Sequence, residues 1–186
     1  RNMDIEILPP DVNTSFAEFR AIDDKCIAYG LAAIKNLGAR ASSAIADYRQ
    51  SNGNYKTVYD IMQAGVNVIN RKGLESLIWA GACDNLEGHR AQQFEIIDDV
   101  LRWGHKMGEE AASSQENLFG GDSSVSAMAP PLLPDIEEWA AEDCLRHEKE
   151  IIGFYLSGDP LEKYIDDIKE FANISLGNIP EKKPKE

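Results

Sequence analysis

The sequence predicts a mainly α-helical fold in which five helices form two hairpins joined by a short connecting helix, with a flexible segment and a further helical stretch behind them. Three observations carry that expectation. Apolar residues recur at three- and four-residue spacing in two stretches, at Leu31, Ile34, Leu37, Ala41, Ala44 and Ile45, and at Leu74, Leu77, Ile78, Phe94, Ile97 and Leu101. Each stretch is interrupted by a glycine-bearing turn, Asn36-Leu37-Gly38 in the first and Ala80-Gly81-Ala82 in the second. From Gly108 to Pro134 the periodicity stops and Gly, Ser, Ala and Pro dominate, the composition of a linker.

Residues 1–24 read as an extended lead-in, because Ile5 to Phe19 carries two prolines and alternating apolar side chains. Residues 25–107 read as the helical domain, long enough for one sizeable core. Within it Cys26 to Ile45 reads as two short helices about a tight turn. Thr57 to Met62 is a connecting helix behind a Ser51-Asn52-Gly53-Asn54 turn. From Val68 onward the order helix, turn, helix repeats.

That order is a helix-hairpin-helix pattern, in which the hairpin and the second helix's first turn direct backbone amides outward, and such amides attract anions. Lys35, Asn36, Leu37, Gly38, Ala39 and Arg40 form the first candidate phosphate site. Arg71 and Lys72 with Ala80, Gly81 and Ala82 form the second. Asn36 stands where a first glycine is usual, and Asn tolerates positive φ better than most residues. The competing reading of either turn is an ordinary helical hairpin whose glycine merely ends a helix. Paired hairpins that each grip one strand of a duplex through phosphate bind with little base readout.

The total charge opposes such binding, since the chain carries a formal −13. The distribution is uneven. Residues 25–90 hold eight Lys or Arg against five Asp or Glu, a net +3, whereas residues 109–186 hold seven against eighteen. A net +3 is weak for a module that finds DNA unaided, and a solvated mixed-charge helical domain is the competing reading. A second device for reaching DNA is therefore expected. The linker, residues 108–134, supplies a candidate in Gln115-Glu116-Asn117-Leu118-Phe119, where Gln115 precedes two adjacent large apolar residues that a linker has no structural reason to expose. A peptide of this kind buries Leu118 and Phe119 in a partner's pocket while Gln115 makes polar contacts at the rim; the alternative is that both tuck back onto the helical domain. Residues 135–186 read as helical, with Trp139, Leu145 and Ile152 on one helix, Glu148 placed to pair with neighbouring bases, and a Ser157-Gly158-Asp159-Pro160 turn at its end.

Together these residues resemble the alpha (polymerase) subunit of bacterial DNA polymerase III, in the region after its fingers. The resemblance spans nearly the whole chain and rests on five ordered motifs, Ile7 to Asn13, Tyr29 to Gly38, Leu74 to Leu86, Gln115 to Gly120 and Glu148 to Tyr164. It implies a tandem helix-hairpin-helix domain that binds double-stranded DNA, then a peptide, Gln115, Leu118 and Phe119, that docks on the sliding clamp, then a helical lead toward an oligonucleotide-binding (OB-type) barrel. The other polymerase III holoenzyme subunits become implied partners. Two positions depart from the family: Asn36 replaces a common glycine, and Asp159 sits where histidine usually precedes the proline.

The family's reaction is template-directed nucleotidyl transfer, which uses closely placed carboxylates and Mg²⁺. None of the acids here suggests that arrangement: Asp98 and Asp99 lie on an amphipathic helix face, and Asp166 and Asp167 read the same way. Catalytic residues are therefore expected upstream, Mg²⁺ is expected to serve the parent polymerase, and this piece is expected to need no cofactor and to be inactive alone. Cys26, Cys83 and Cys144 lack CxxC spacing and His89, His105 and His147 lack ligand spacing, so no metal site is expected. Three scattered cysteines suit the reducing cytoplasm, no apolar run suggests a membrane span, and a start at Arg1 reads as a trimmed piece. Two other function classes remain at this level, a helix-hairpin-helix DNA repair module and a helical protein-interaction adaptor.

Overall fold

The computed structural model describes residues 4–116 and 132–171. Seven helices surround one core among the described residues, beside a small sheet. Strands β1 (Glu6–Leu8), β2 (Arg20–Ala21) and β3 (Cys26–Ala28) are ordered β1-β3-β2; β1 pairs parallel to β3, Glu6 opposite Cys26, and β2 pairs antiparallel to it. The helices are α1 (Gly38–Asn52), α2 (Val58–Ile61), α3 (Arg71–Trp79), α4 (Arg90–Glu95), α5 (Ile97–Glu116), α6 (Ala141–Ile152) and α7 (Ile165–Phe171). Leu31, Ile34, Ile45, Ile61, Leu74, Leu77, Ile78, Ile97 and Val100 meet in the core.

The structure corrects the first hairpin. Its leading helix is absent: Cys26 to Ala28 is the central strand, and only Leu31–Ala33 winds into a single 3₁₀ turn. Local periodicity is overridden here by backbone partners from the lead-in. The N–H groups of Leu31 and Ala32 donate to Phe16 O and Ala17 O, both at 2.9 Å, and Gly30 passes so near the Glu18–Phe19 backbone that a Cβ would stand 2.5 Å from Phe19 N. The lead-in is accordingly part of the domain. Val12 is fully buried, and Arg49 of α1 donates from Nη1 to Val12 O and Ser15 O, both at 2.8 Å.

The connecting helix forms where the sequence places it. Thr57 and Asp60 make a reciprocal capping box at the start of α2. The second half of the domain differs more, since α3 and the next helix are separated by a long turn that ends at His89, whose side chain caps α4. Helix α5 continues past Gly108 to Glu116, into the segment read as linker. Its glycines serve close packing: a Cβ at Gly104 would come within 2.9 Å of Met62, and one at Gly108 within 3.1 Å of Val66. Helix α6 begins at Ala141 and stops at Ile152, because Gly153 takes a left-handed φ of 100° before the Ser157–Pro160 turn is reached.

Candidate nucleic-acid interface

The first turn is built around two left-handed residues, Asn36 with φ 65° and Gly38 with φ 70°. Leu37 between them is buried and seats the turn on the start of α3, where a Cβ at Gly73 would lie 3.5 Å from Leu37 Cδ1. Asn36 adds a side-chain bond, Nδ2 donating to Ser76 Oγ at 3.1 Å. Helix α1 then starts without a capping side chain and without an acid in its first turn. Among the described residues no acceptor takes the N–H of Gly38, Ala39 or Arg40, and all three residues are exposed. The surroundings of Gly38 are open, with nothing within 4 Å of an added Cβ. An uncapped helix start of this kind offers partial positive charge and aligned donors to an anion.

The four basic residues expected at the two turns divide into two pairs. Arg40 and Lys72 are exposed and have no ion-pair partner among the described residues. Lys35 and Arg71 are held from within. Lys35 donates from Nζ to Glu150 O at 2.5 Å and from its backbone N–H to Ile151 O at 3.4 Å, so it caps the carbonyl end of α6. Arg71 donates from Nε to Glu75 at 2.8 Å and from Nη1 to Asp98.

The second turn does not present amides outward, which corrects the expectation for Ala80, Gly81 and Ala82. Ala80 N–H donates to Ser76 O, Gly81 N–H to Ile78 O and Ala82 N–H to Leu77 O, at 3.0, 3.0 and 2.9 Å. The last two bonds, with Gly81 at φ 74°, form a Schellman closure of α3. Ala80 and Ala82 are buried, and Ala82 O receives Val12 N–H at 2.9 Å. The sequence did carry this alternative, since glycine just past a helix is first of all a C-cap signal.

Glu148, expected to pair with bases near it in the chain, is instead held at this turn by the distant Arg90. Arg90 donates to Asp84 Oδ1 and Oδ2 at 2.7 and 2.6 Å and also to Glu148 Oε1 at 3.1 and 3.0 Å. Glu148 is only 1% exposed, and its Oε2 receives the N–H groups of Leu156 and Ser157 at 3.2 and 3.1 Å. Nearby His147 stacks on Trp79 with centroids 4.9 Å apart and meets Trp139 edge-on at 4.9 Å. Burial lowers the His147 pKa below 6.5, assisted by Arg146. Arg90, Glu148 and this aromatic group fix α6 to the second turn as Lys35 fixes it to the first.

Gln115 lies in the last turn of α5, while Leu118 and Phe119 lie outside the described residues. Among the described residues no group of three or more His, Cys, Asp or Glu side chains could hold a metal ion, and no helix is long and apolar enough to cross a membrane.

A family described as a helix-hairpin-helix motif matches residues 4–93. The chain is similar along nearly its whole length to proteins named DNA polymerase III subunit alpha: 36% identical over 92% of this chain in Borreliella burgdorferi, 36% over 94% in Neisseria meningitidis serogroup A and 30% over 95% in Vibrio cholerae. It spans about 15% of the length of each of these curated relatives.

Proposed function

This chain belongs to the DNA polymerase III alpha family, and from that premise we propose that it binds double-stranded DNA through backbone phosphate, independently of sequence, as part of a replicative polymerase in the cytoplasm. One observation supports this reading above the others: the exposed, uncapped start of α1, with unclaimed amides at Gly38, Ala39 and Arg40 beside the cations of Arg40 and Lys72. A phosphate there receives several N–H donors and two charges, contacts that position a duplex without reading its sequence. Because Ala80, Gly81 and Ala82 commit their amides to α3, the grip is centred on the starts of α1 and α3 instead of being shared by two equivalent hairpins.

The segment of Gln115, Leu118 and Phe119 is the proposed attachment to the sliding clamp. Clamp attachment offsets a weak intrinsic affinity by raising the local concentration of the domain at DNA, and so favours processive synthesis. The polymerase reaction and its Mg²⁺ belong to carboxylates outside this chain, which on this reading does not polymerise alone.

The test is anisotropy of a fluorescent duplex titrated with the chain across a salt series, with and without cognate clamp. Arg40→Ala with Lys72→Ala should weaken binding and reduce the salt slope by about one for each phosphate no longer neutralised. Leu118→Ala with Phe119→Ala should abolish only the enhancement by clamp. Duplex affinity unchanged in the first pair would remove the phosphate assignment.

A further inference from the structure

The least expected feature of the proposed phosphate face is that Arg71 is already occupied by acids. It is the first residue of α3, where a cation is opposed by the positive helix end, so helix stability does not account for it. Its guanidinium instead spans two carboxylates, Glu75 one turn along α3 and Asp98 from the first turn of α5. Two negative charges against one guanidinium also offset the adjacent exposed Lys72, so these four side chains together present no net positive charge to phosphate.

We infer that Asp98 is an internal competitor of DNA phosphate for Arg71 and sets the affinity of this face; the inference rests on the duplex-binding reading. The side chains of Arg71 and Asp98 are 48% and 69% exposed. An exposed pair of this kind contributes little and exchanges readily, so an arriving phosphate can take the guanidinium while Asp98 returns to water at the favourable N-terminus of α5. Glu75, at 21% exposure, stays on Nε and orients the fork. The guanidinium then serves phosphate only where a duplex also engages the start of α1. Binding is thereby kept weak for stray anions and for duplex held by nothing else, which suits a contact that must slide along its product.

The experiment is duplex anisotropy at low salt with the full chain and the variants Asp98→Asn, Asp99→Asn, Arg71→Ala and the double variant Arg71→Ala with Asp98→Asn. Asp99 is the control, since its removal changes charge identically one residue away and it pairs with Arg102 instead. Asp98→Asn should tighten binding about two- to five-fold, the range of an exposed ion pair, and should steepen the salt dependence; Asp99→Asn should do neither to that extent. In the Arg71→Ala background the gain from Asp98→Asn should vanish. Equal tightening by both Asn variants, or a gain that survives removal of Arg71, would overturn the inference while leaving duplex binding intact. No salt-dependent binding by the unaltered chain would instead overturn the duplex reading and this inference with it.

Discussion

Replacing Glu148 by glutamine is the sharpest test of how α6 is held. The side chain is 1% exposed and every acceptor position is used: Oε1 takes two N–H groups of Arg90 at 3.1 and 3.0 Å, and Oε2 takes the backbone N–H groups of Leu156 and Ser157 at 3.2 and 3.1 Å. Glutamine preserves the shape but presents one oxygen and one NH₂. In either orientation two buried donors face another donor, and Arg90 loses its buried counter-charge. Removing one partner of a buried pair costs about 3–5 kcal/mol. Arg90 keeps Asp84, bound at 2.7 and 2.6 Å, which places the expected loss at the low end, about 3 kcal/mol. With a urea slope of about 2 kcal/mol/M for a domain of this size, the midpoint should fall by about 1.5 M. Asp84→Asn, at a side chain 47% exposed, should cost about 1 kcal/mol or less. A Glu148→Gln loss no larger than that of Asp84→Asn would refute the argument that burial makes this carboxylate structural.

Two glycines with nearly the same φ should respond differently to alanine. Gly81→Ala meets strain at φ 74° and drives its methyl into Arg90 Nη2, so a loss of about 2–4 kcal/mol is expected in thermal or urea unfolding; Gly38→Ala, at φ 70° with open surroundings, should cost about 1 kcal/mol. The Gly38→Ala methyl would stand beside the unclaimed amides, so its larger effect should be on duplex affinity. His147 gives a pH dependence of defined sign. Its folded pKa lies below the ordinary 6.5, so between the two values the unfolded chain binds more protons, and stability should fall as pH drops through 6.5 toward the folded value. His147→Phe keeps an aromatic ring between Trp79 and Trp139 and should flatten that part of the melting-temperature profile.

Much of the fold was legible because its determinants are local. The Ser51-Asn52-Gly53-Asn54 turn announces α2, the Leu74, Leu77 and Ile78 face announces α3, and Asn36 with Gly38 marks a turn that needs two left-handed residues. The failures share one cause. Cys26 to Ala28 has helical company in sequence, but β1 and β2 offer its backbone partners that periodicity cannot see. Gly104 and Gly108 look like linker residues until Met62 and Val66 are seen to pack where their side chains would be.

The sequence by itself therefore determined the helical class, the position of the first turn and the segregation of acidic charge toward the C-terminal part, since periodicity, positive-φ residues and composition act over a few residues. Only the tertiary structure decided which of those residues are available to a ligand. Ala80, Gly81 and Ala82 are consumed by the cap of α3, Lys35 by the carbonyl end of α6 and Arg71 by Asp98, while the amides of Gly38, Ala39 and Arg40 meet no acceptor among the described residues. A donor's availability depends on which acceptors fold within hydrogen-bonding distance, and those come from residues far away in the chain.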